Sequence, residues 1–300
     1  MPCPEKCASP AHGEGPAAKP WEGLFRTGHR GGKKIQLKTI NMRRTILSLF
    51  ASLALVLTAG AQEKMTTQRY NATDFTSLSI SHAFDITLQK GDRYSVTLEY
   101  PADCAEYISV AKQKATLFVG LKNKTPRKFL NGKHTFRATI VMPEVYGIYL
   151  SGASRLTATE PFQMNMRPFE AHLSGASKII SLSVDGPSVD VELSGASRAE
   201  INVNAGEVEA DVSGASKLTL TGNATDLNLE ASGASSVNAK NVNAVNVELD
   251  GSGASKLYVF VQKELKVDLS GASRCEYIGP DENVLKSIDV TGASSLKKVQ

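Results

Sequence analysis

The 300-residue chain has little of what most catalytic and metal-binding proteins rely on. It contains one tryptophan, five histidines and four cysteines, and beyond residue 61 only Cys104 and Cys275 remain. It has no G-x-S-x-G segment of the kind that presents a nucleophilic serine. A hydrophobic period of 3.6 residues, the mark of amphipathic helices, is not visible in the strand-like repeats described below. These absences disfavour a helical repeat and a serine hydrolase, and we expect no cofactor, no metal ion and no catalytic residues.

A large excess of charge of one sign is also lacking once the N-terminal residues are set aside. Lys and Arg number 34 against 30 Asp and Glu, a net charge of +4. Residues 1–61 contain nine of the basic residues and only three of the acidic ones, which leaves 25 basic and 27 acidic residues in 62–300. The main part of the chain is therefore close to neutral, and we expect no nucleic-acid partner.

The N-terminal region has the three-part pattern of a secretory signal peptide over residues 42–61. Met42-Arg43-Arg44 is followed by the apolar run Ile46–Leu57 and by Ala59-Gly60-Ala61, which predicts cleavage before Gln62. The apolar run has 12 residues, which is short for a transmembrane helix, although an uncleaved signal anchor is the alternative. Residues 1–41 are interpreted as a disordered upstream extension from a misassigned start. We expect an exported protein of the periplasm, the outer membrane or the cell surface.

A repeat dominates the rest of the sequence. Ser-Gly-Ala-Ser occurs seven times and Thr-Gly-Ala-Ser once, in steps of 18 to 23 residues, beginning at Ser151, Ser174, Ser194, Ser213, Ser232, Ser252, Ser270 and Thr291. Apolar residues alternate with polar ones between the tetrapeptides, as in Val189, Val191 and Leu193, which indicates strands. A unit of about 20 residues made of short strands and tight corners predicts one coil of a solenoid. The fold class is therefore all-β, a single-stranded parallel β-helix with Ser-Gly-Ala-Ser corners.

The tetrapeptide predicts the local structure of each corner. We expect Gly to adopt an unusual backbone angle, Ala to point into a narrow core, and the Ser hydroxyls to form hydrogen bonds along the stack or to the corner backbone. Corners should repeat every ~4.8 Å along the axis, the spacing between paired strands. Cys104 and Cys275 then lie too far apart for a disulfide, and we expect two free, buried thiols.

Residues 62–150 differ from the repeat in composition. They contain eleven of the nineteen aromatic residues and several strand-like runs, such as Phe84–Leu88 and Tyr94–Tyr100. We interpret 62–150 as an N-terminal β region that caps the solenoid and is continuous with it. Residues 151–300 form the Ser-Gly-Ala-Ser repeat. A cap is expected because an uncovered end exposes an edge strand and promotes aggregation.

The segments Phe84–Asp92 and Val96–Glu99, followed by the Ser-Gly-Ala-Ser array, resemble the putative auto-transporter adhesin head domain called the GIN domain. The resemblance covers residues 70–300, with the opening segment and the repeat in the family's order. It implies a β-helical, exported protein typical of Bacteroidetes-like bacteria.

The repeat also arranges charge. The position after each tetrapeptide is basic in six of eight copies: Arg155, Lys178, Arg198, Lys217, Lys256 and Arg274, with Ser236 and Ser295 in the other two. The position two residues before each tetrapeptide is acidic in six of eight: Glu192, Asp211, Glu230, Asp250, Asp268 and Asp289, with Tyr149 and His172 in the other two. Stacked coils turn these positions into a positive and a negative column.

Two interpretations of the columns remain open. The columns could compensate each other and solubilise the protein, or the basic column could bind a linear polyanion such as an acidic glycan. We expect a non-enzymatic, adhesin-like binding or scaffolding module of the cell envelope, with acidic glycans or other envelope components as partners and with homo-oligomers through the solenoid ends. The alternative is a carbohydrate-active enzyme, a polysaccharide lyase or hydrolase on a β-helix scaffold.

Overall fold

The computed structural model describes residues 64–131, 134–280 and 282–300. The predicted signal peptide and the upstream extension lie outside these residues. The described chain is a β-solenoid of about eight turns with coils of roughly 20 residues, which confirms the predicted fold class. Helical structure is confined to 3-10 turns at Ala102–Tyr107, Arg127–Phe129 and Glu282–Val284. The described part of the chain contains no helix with the length and hydrophobicity of a membrane span.

Nineteen strands make up the described structure. Those up to the first tetrapeptide are β1 (Met65–Tyr70), β2 (Ser77–Ile80), β3 (Phe84–Lys90), β4 (Ser95–Pro101), β5 (Ile108–Gln113), β6 (Thr116–Leu121), β7 (Phe136–Met142) and β8 (Gly147–Leu150). Those of the repeat are β9 (Arg155–Ala158), β10 (Phe162–Gln163), β11 (Phe169–Leu173), β12 (Lys178–Leu193), β13 (Arg198–Val212), β14 (Lys217–Ala231), β15 (Ser236–Gly251), β16 (Lys256–Leu269), β17 (Arg274–Ile278), β18 (Leu285–Val290) and β19 (Ser295–Lys298).

The middle of the solenoid is regular. Strands β12 to β16 pair in parallel with their neighbours, one coil on the next. The alternation seen in the sequence puts every second side chain inside, so that Val189, Val208, Leu227, Val247 and Leu265 stack in register and are at most 2% exposed. Each coil therefore buries its apolar residues against the coils on either side.

The N-terminal coils are not stacked in chain order. Strand β2 lies between β6 and β8, and β3 lies between β7 and β9, so the coil that comes first in the sequence is second in space. Beyond it, β5 pairs antiparallel with β6, β4 pairs antiparallel with β7, and β1 pairs antiparallel with β4. Val96 and Leu98 of β4 and Ile140 of β7 are fully buried. Antiparallel strands thus cover the apolar interior at this end.

The C-terminal coil lacks such a cover within the described residues. Strand β18 pairs with β16 on one side, and β19 pairs with β17 on one side. Ile288 and Val290 are in register with Val267 and Leu269, which are buried, yet they are 51% and 37% exposed. The inward-facing positions of the last coil therefore meet solvent.

The two cysteines of the described chain form no disulfide and are both buried, as expected. Cys104 lies in the first 3-10 turn, whereas Cys275 lies in β17 near the opposite end. Burial raises the pKa of the Cys275 thiol to about 12. A thiol held in its protonated form is a poor nucleophile, so Cys275 is a packing residue.

Candidate functional site: the corner ridge and its charged columns

The eight tetrapeptides stack into a straight line that we call the corner ridge. Each corner glycine has a φ of +70 to +75°, a conformation that glycine adopts without steric cost. The following Ala N–H donates to the carbonyl of the glycine one coil before, as from Ala215 to Gly195 at 2.8 Å. A Cβ at Gly214 would lie 2.6 Å from the Gly195 carbonyl oxygen. The corner therefore requires glycine for its dihedral angle and for its close stacking.

One expectation about the corner is wrong. The Ala of each Ser-Gly-Ala-Ser corner is exposed, and the last Ser points inward instead. This Ser is 0–1% exposed in all seven copies: Ser154, Ser177, Ser197, Ser216, Ser235, Ser255 and Ser273. At Ser154, Ser177, Ser197 and Ser273 its hydroxyl donates to the carbonyl of the first Ser in the same corner, for example from Ser197 to Ser194 at 2.8 Å, and this bond closes the turn. The Ser255 hydroxyl donates to that of Ser273 at 3.2 Å, whereas the buried hydroxyls of Ser216 and Ser235 have no partner among the described residues.

The basic column has the predicted register. Strand pairing places Arg155, Lys178, Arg198 and Lys217 side by side, and Lys256 beside Arg274, with Ser236 between the two groups. Asp85 of β3 continues the column on the N-terminal side, and its carboxylate accepts from the Arg155 guanidinium at 3.2 Å. Arg155 is therefore neutralised locally, and the structure separates it from the other five members.

Those five members have no acidic partner in the described chain. Within residues 64–131, 134–280 and 282–300, no carboxylate oxygen lies within 4.0 Å of the charged group of Lys178, Arg198, Lys217, Lys256 or Arg274. No ion pair among the described residues joins the basic column to the acidic column either. The positive charges are thus available at the surface, ~4.8 Å apart on adjacent coils, with one interruption at Ser236 between Lys217 and Lys256.

The acidic column also forms as predicted. Glu192, Asp211, Glu230, Asp250, Asp268 and Asp289 are paired positions on successive coils. The negative charge of Asp211 raises the pKa of Glu230 above its ordinary 4.5. Burial, followed by the charge of Asp268, raises the pKa of Asp250 above its ordinary 3.8. The carboxylates therefore repel one another, and the basic column does not relieve that repulsion.

A groove runs between the acidic column and the first Ser of each corner. It contains two cavities of about 320 and 310 Å³ that share Asp211 and Ser213. The floor is apolar, formed by residues such as Leu193 and Val212. No group of three or more His, Cys, Asp or Glu side chains among the described residues is arranged to hold a metal ion.

The N-terminal end of this groove is aromatic. The rings of Tyr149 and His172 stack with centroids 5.2 Å apart, and a ring nitrogen of His172 hydrogen-bonds to Glu192 at 2.6 Å. The Tyr149 hydroxyl donates to Glu170 at 2.7 Å, and burial together with this bond raises the pKa of Tyr149 to about 12. The structure thus shows why these two positions depart from the acidic pattern: the rings stack on each other.

The corner ridge contains one further corner that the tetrapeptide repeat does not reveal. Ser81-His82-Ala83 lies one coil before Ser151-Gly152-Ala153, and His82 takes the glycine position with a φ of +73°. The Ala153 N–H donates to the His82 carbonyl at 2.6 Å, as in every later corner. A signal was present in the sequence, because Asp85 lies four residues after Ser81, the same spacing that separates the charged Arg155 from Ser151. The ridge therefore extends one coil further than the repeat suggests.

Comparison with known sequences agrees with this architecture. A profile of the family described as putative auto-transporter adhesin, head GIN domain, matches residues 74–280. The chain belongs to this family. The match covers the early strands as well as most of the corner ridge, so family membership extends beyond the tetrapeptide repeat. No protein with a curated function matches the chain.

Solved structures show the same fold. A putative adhesin from Parabacteroides merdae superposes with a TM-score of 0.70 at 17% identity, over 80% of this chain and 98% of its own. A putative lipid binding protein from Parabacteroides distasonis also gives 0.70, at 14% identity over 80% and 98% of the two chains. A putative adhesin from Bacteroides fragilis gives 0.54 at 19% identity, over 79% and 98%. At these identities the similarity concerns the fold.

Proposed function

We propose that this GIN-domain protein is a non-enzymatic, extracytoplasmic binding module whose basic column binds a linear polyanion, an acidic glycan of the cell envelope or its surroundings. The single observation that carries the proposal is the register of Lys178, Arg198 and Lys217 on three adjacent coils, with no acidic partner in the part of the chain that the structure describes. The family's description as an adhesin head supports a binding role.

The spacing of the column suits a repeating ligand. Exposed single charges contribute little to affinity, but several identical contacts on one rigid scaffold add through multivalency. The scaffold fixes the distances because each basic side chain follows a corner whose backbone is held by hydrogen bonds to the previous coil. A flexible glycan can then align successive anionic groups with successive coils. Screening over ~8–10 Å at physiological ionic strength makes such binding sensitive to salt.

The test is an array of acidic and neutral glycans probed with the wild type and with two triple variants. Replacing Lys178, Arg198 and Lys217 by Ser removes the continuous part of the column, and Ser already occupies this position at Ser236 and Ser295. Replacing the exposed Lys112, Lys240 and Lys263 by Ser is the matched control, with the same change in net charge. We expect the first variant to lose the acidic glycans and the second to retain them. Equal binding by all three proteins would refute the proposal.

A second candidate, a carbohydrate-active enzyme, is favoured by the groove beside the acidic column. Glycoside hydrolysis uses two carboxyl groups of unequal pKa, and Asp211 raises the pKa of its neighbour Glu230. Incubating the wild type and Glu230→Gln with the acidic polysaccharides retained on the array distinguishes the two functions. Binding without release of reducing ends or unsaturated products supports the binding module. Turnover that Glu230→Gln abolishes would support the enzyme.

We also propose that the protein is exported by the general secretory route and acts in the periplasm, at the outer membrane or on the cell surface. The signal-peptide pattern over 42–61 and the family's adhesin description support this location. N-terminal sequencing of the protein recovered from the cell envelope should begin at or near Gln62. Recovery of the intact N-terminus from the cytoplasm would contradict it.

A further inference from the structure

The corner ridge stops at His82, and the reason is a long insertion in the next coil. Three residues separate the strands at the His82 corner and four at each tetrapeptide, but 14 residues, 122–135, separate β6 from β7. No corner therefore stacks on the outer side of His82. In its place the Leu121 N–H donates to Nδ1 of the His82 ring at 3.3 Å. The missing corner leaves a space that the rest of the ridge does not have.

His82 lines that space and has one ring N–H without a partner in the described chain. Nδ1 accepts the Leu121 N–H and is also 2.8 Å from the Ser81 hydroxyl, so the ring proton resides on Nε2. Burial lowers the pKa of His82, which keeps the ring neutral near pH 7. Among the described residues, Nε2 has no hydrogen-bond partner. A neutral N–H donor is therefore left for a ligand.

The space is a cavity of about 330 Å³ with apolar walls. Leu121, Phe129 and Phe136 are buried around it, Leu130 is 47% exposed, and the corner at Gly152 and Ala153 closes the side toward the ridge. Among the described residues that line it, His82 supplies the one titratable side chain. Apolar walls with one or two placed polar groups are typical of small-molecule sites, and the volume is at the lower end of their range.

Basic residues lie near the exposed wall. The Leu130 N–H donates to the Arg127 carbonyl at 3.0 Å, so the two residues belong to one turn, and Arg127 and Lys124 are exposed. The Lys128 ammonium lies 4.4 Å from the centroid of the Phe129 ring and 3.7 Å from Asp103. Arg127 has no carboxylate partner among the described residues. This turn favours a ligand with a negative charge at one end.

We infer that this cavity binds one short acyl chain that carries a carboxylate, with the chain against Phe129 and Phe136 and a carboxylate oxygen accepting from His82 Nε2. The site is separate from the basic column and does not depend on the proposed glycan binding. An apolar body fits the walls, the carboxylate matches the donor and the basic turn, and a cationic head group would meet like charge.

The test is titration of the protein with decanoate, decanol and decylamine, measured by calorimetry. We expect saturable binding of one decanoate per chain, weaker binding of decanol and none of decylamine. His82→Gly should weaken decanoate binding by about tenfold, the value of one hydrogen bond. This variant keeps the fold because the other eight corners carry glycine at the same positive φ.

A blocking variant and its control keep the result interpretable. Ala153→Phe adds a ring at the cavity wall and should abolish binding, whereas Ala215→Phe, the equivalent exposed position in mid-ridge, should bind as the wild type does. Equal decanoate affinity in Ala153→Phe and Ala215→Phe would overturn the inference. Absence of decanoate binding together with binding to phosphatidylglycerol vesicles would also overturn it, since the turn would then contact membranes from outside the cavity.

Discussion

The two ends of the solenoid meet the same physical demand in different ways. At each end, the outermost coil has an adjacent coil on one side only, so its inward apolar side chains need some other cover on the outer side. At the N-terminal end, antiparallel strands β4 and β5 pair with β7 and β6 of the outermost coil, and Ile140 of β7 is fully buried. At the C-terminal end, Ile288 occupies an inward register and is 51% exposed. Burial thus depends on what stacks on a coil, because the inward pattern of the sequence is the same at both ends.

The largest difference between the ends should appear when one apolar side chain is truncated at each. Ile140 lies in the outermost N-terminal coil and is fully buried, so Ile140→Ala leaves a cavity and should cost about 2–5 kcal/mol of unfolding free energy. Ile288→Ala should cost less than about 1 kcal/mol, because half of the side chain already meets water. Denaturant titration of both variants measures the difference. Similar losses would mean that the C-terminal coil is covered in solution.

The corner glycines offer a second comparison, between an interior coil and the terminal one. Gly214→Ala forces an L-residue to a φ of +72° and places its Cβ 2.6 Å from the Gly195 carbonyl oxygen, so we expect a loss of about 3 kcal/mol. Gly292→Ala meets a similar contact with Gly271, at 2.7 Å, but the last coil can move away and the loss should be smaller. Thermal melts of the two variants compare them. An equal shift in Tm would show that the last coil is held as firmly as an interior one.

The acidic column predicts a smaller effect that depends on pH. The folded-state pKa values of Glu230 and Asp250 are raised, so as the pH falls the folded protein takes up protons at these groups before the unfolded chain does. Their contribution to stability is therefore present at low pH and is lost as the pH rises through the folded-state pKa values. Above those pKa values the carboxylates of Glu230 and Asp250 are charged and repel their acidic neighbours. Glu230→Gln should therefore raise the Tm at pH 7 by about 2 °C and have no effect near pH 4. A lower Tm at pH 7 would show that the column is stabilising.

The smallest effect on stability is expected for charges placed on the open coil. Ile288→Lys and Val290→Lys should leave the Tm nearly unchanged, because both side chains are already exposed. They should reduce association, since charged residues on an unpaired edge oppose strand addition. Sedimentation of the double variant beside the wild type measures this. Unchanged association would place the contact between copies elsewhere on the chain.

Much of the fold could be predicted because the repeat fixes the register. Val189, Val208 and Leu227 are 19 residues apart, and a constant period with alternation leaves few ways to stack them. The order of the N-terminal coils could not be predicted. The tetrapeptide repeat begins after β2 and β6, so no sequence motif shows which of these two strands lies next to β8. The prediction that the corner Ala points inward was wrong. The alternation of inward and outward side chains does not continue through a glycine with positive φ, and the last Ser takes the inward position instead.

The candidate site was predictable to a similar degree. The members of the basic column follow from sequence position alone, since each lies one residue after a corner. Lys178 and Arg198 lie after the corners and the acidic column lies before them. How far the side chains of the two columns stand from each other across the corner ridge is not shown by the sequence. The His82 cavity depends on an insertion in a different coil and could not be located without the strand pairing.

The most direct test of the basic column is the salt dependence of binding to one acidic polysaccharide that the array identifies. Affinity is measured over a range of NaCl concentrations for the wild type, the Lys178/Arg198/Lys217→Ser variant and the Lys112/Lys240/Lys263→Ser control. We predict a steep loss of affinity with salt for the wild type and the control, and weak binding with a shallow salt dependence for the column variant. A column variant whose affinity and salt dependence match those of the control would contradict the account.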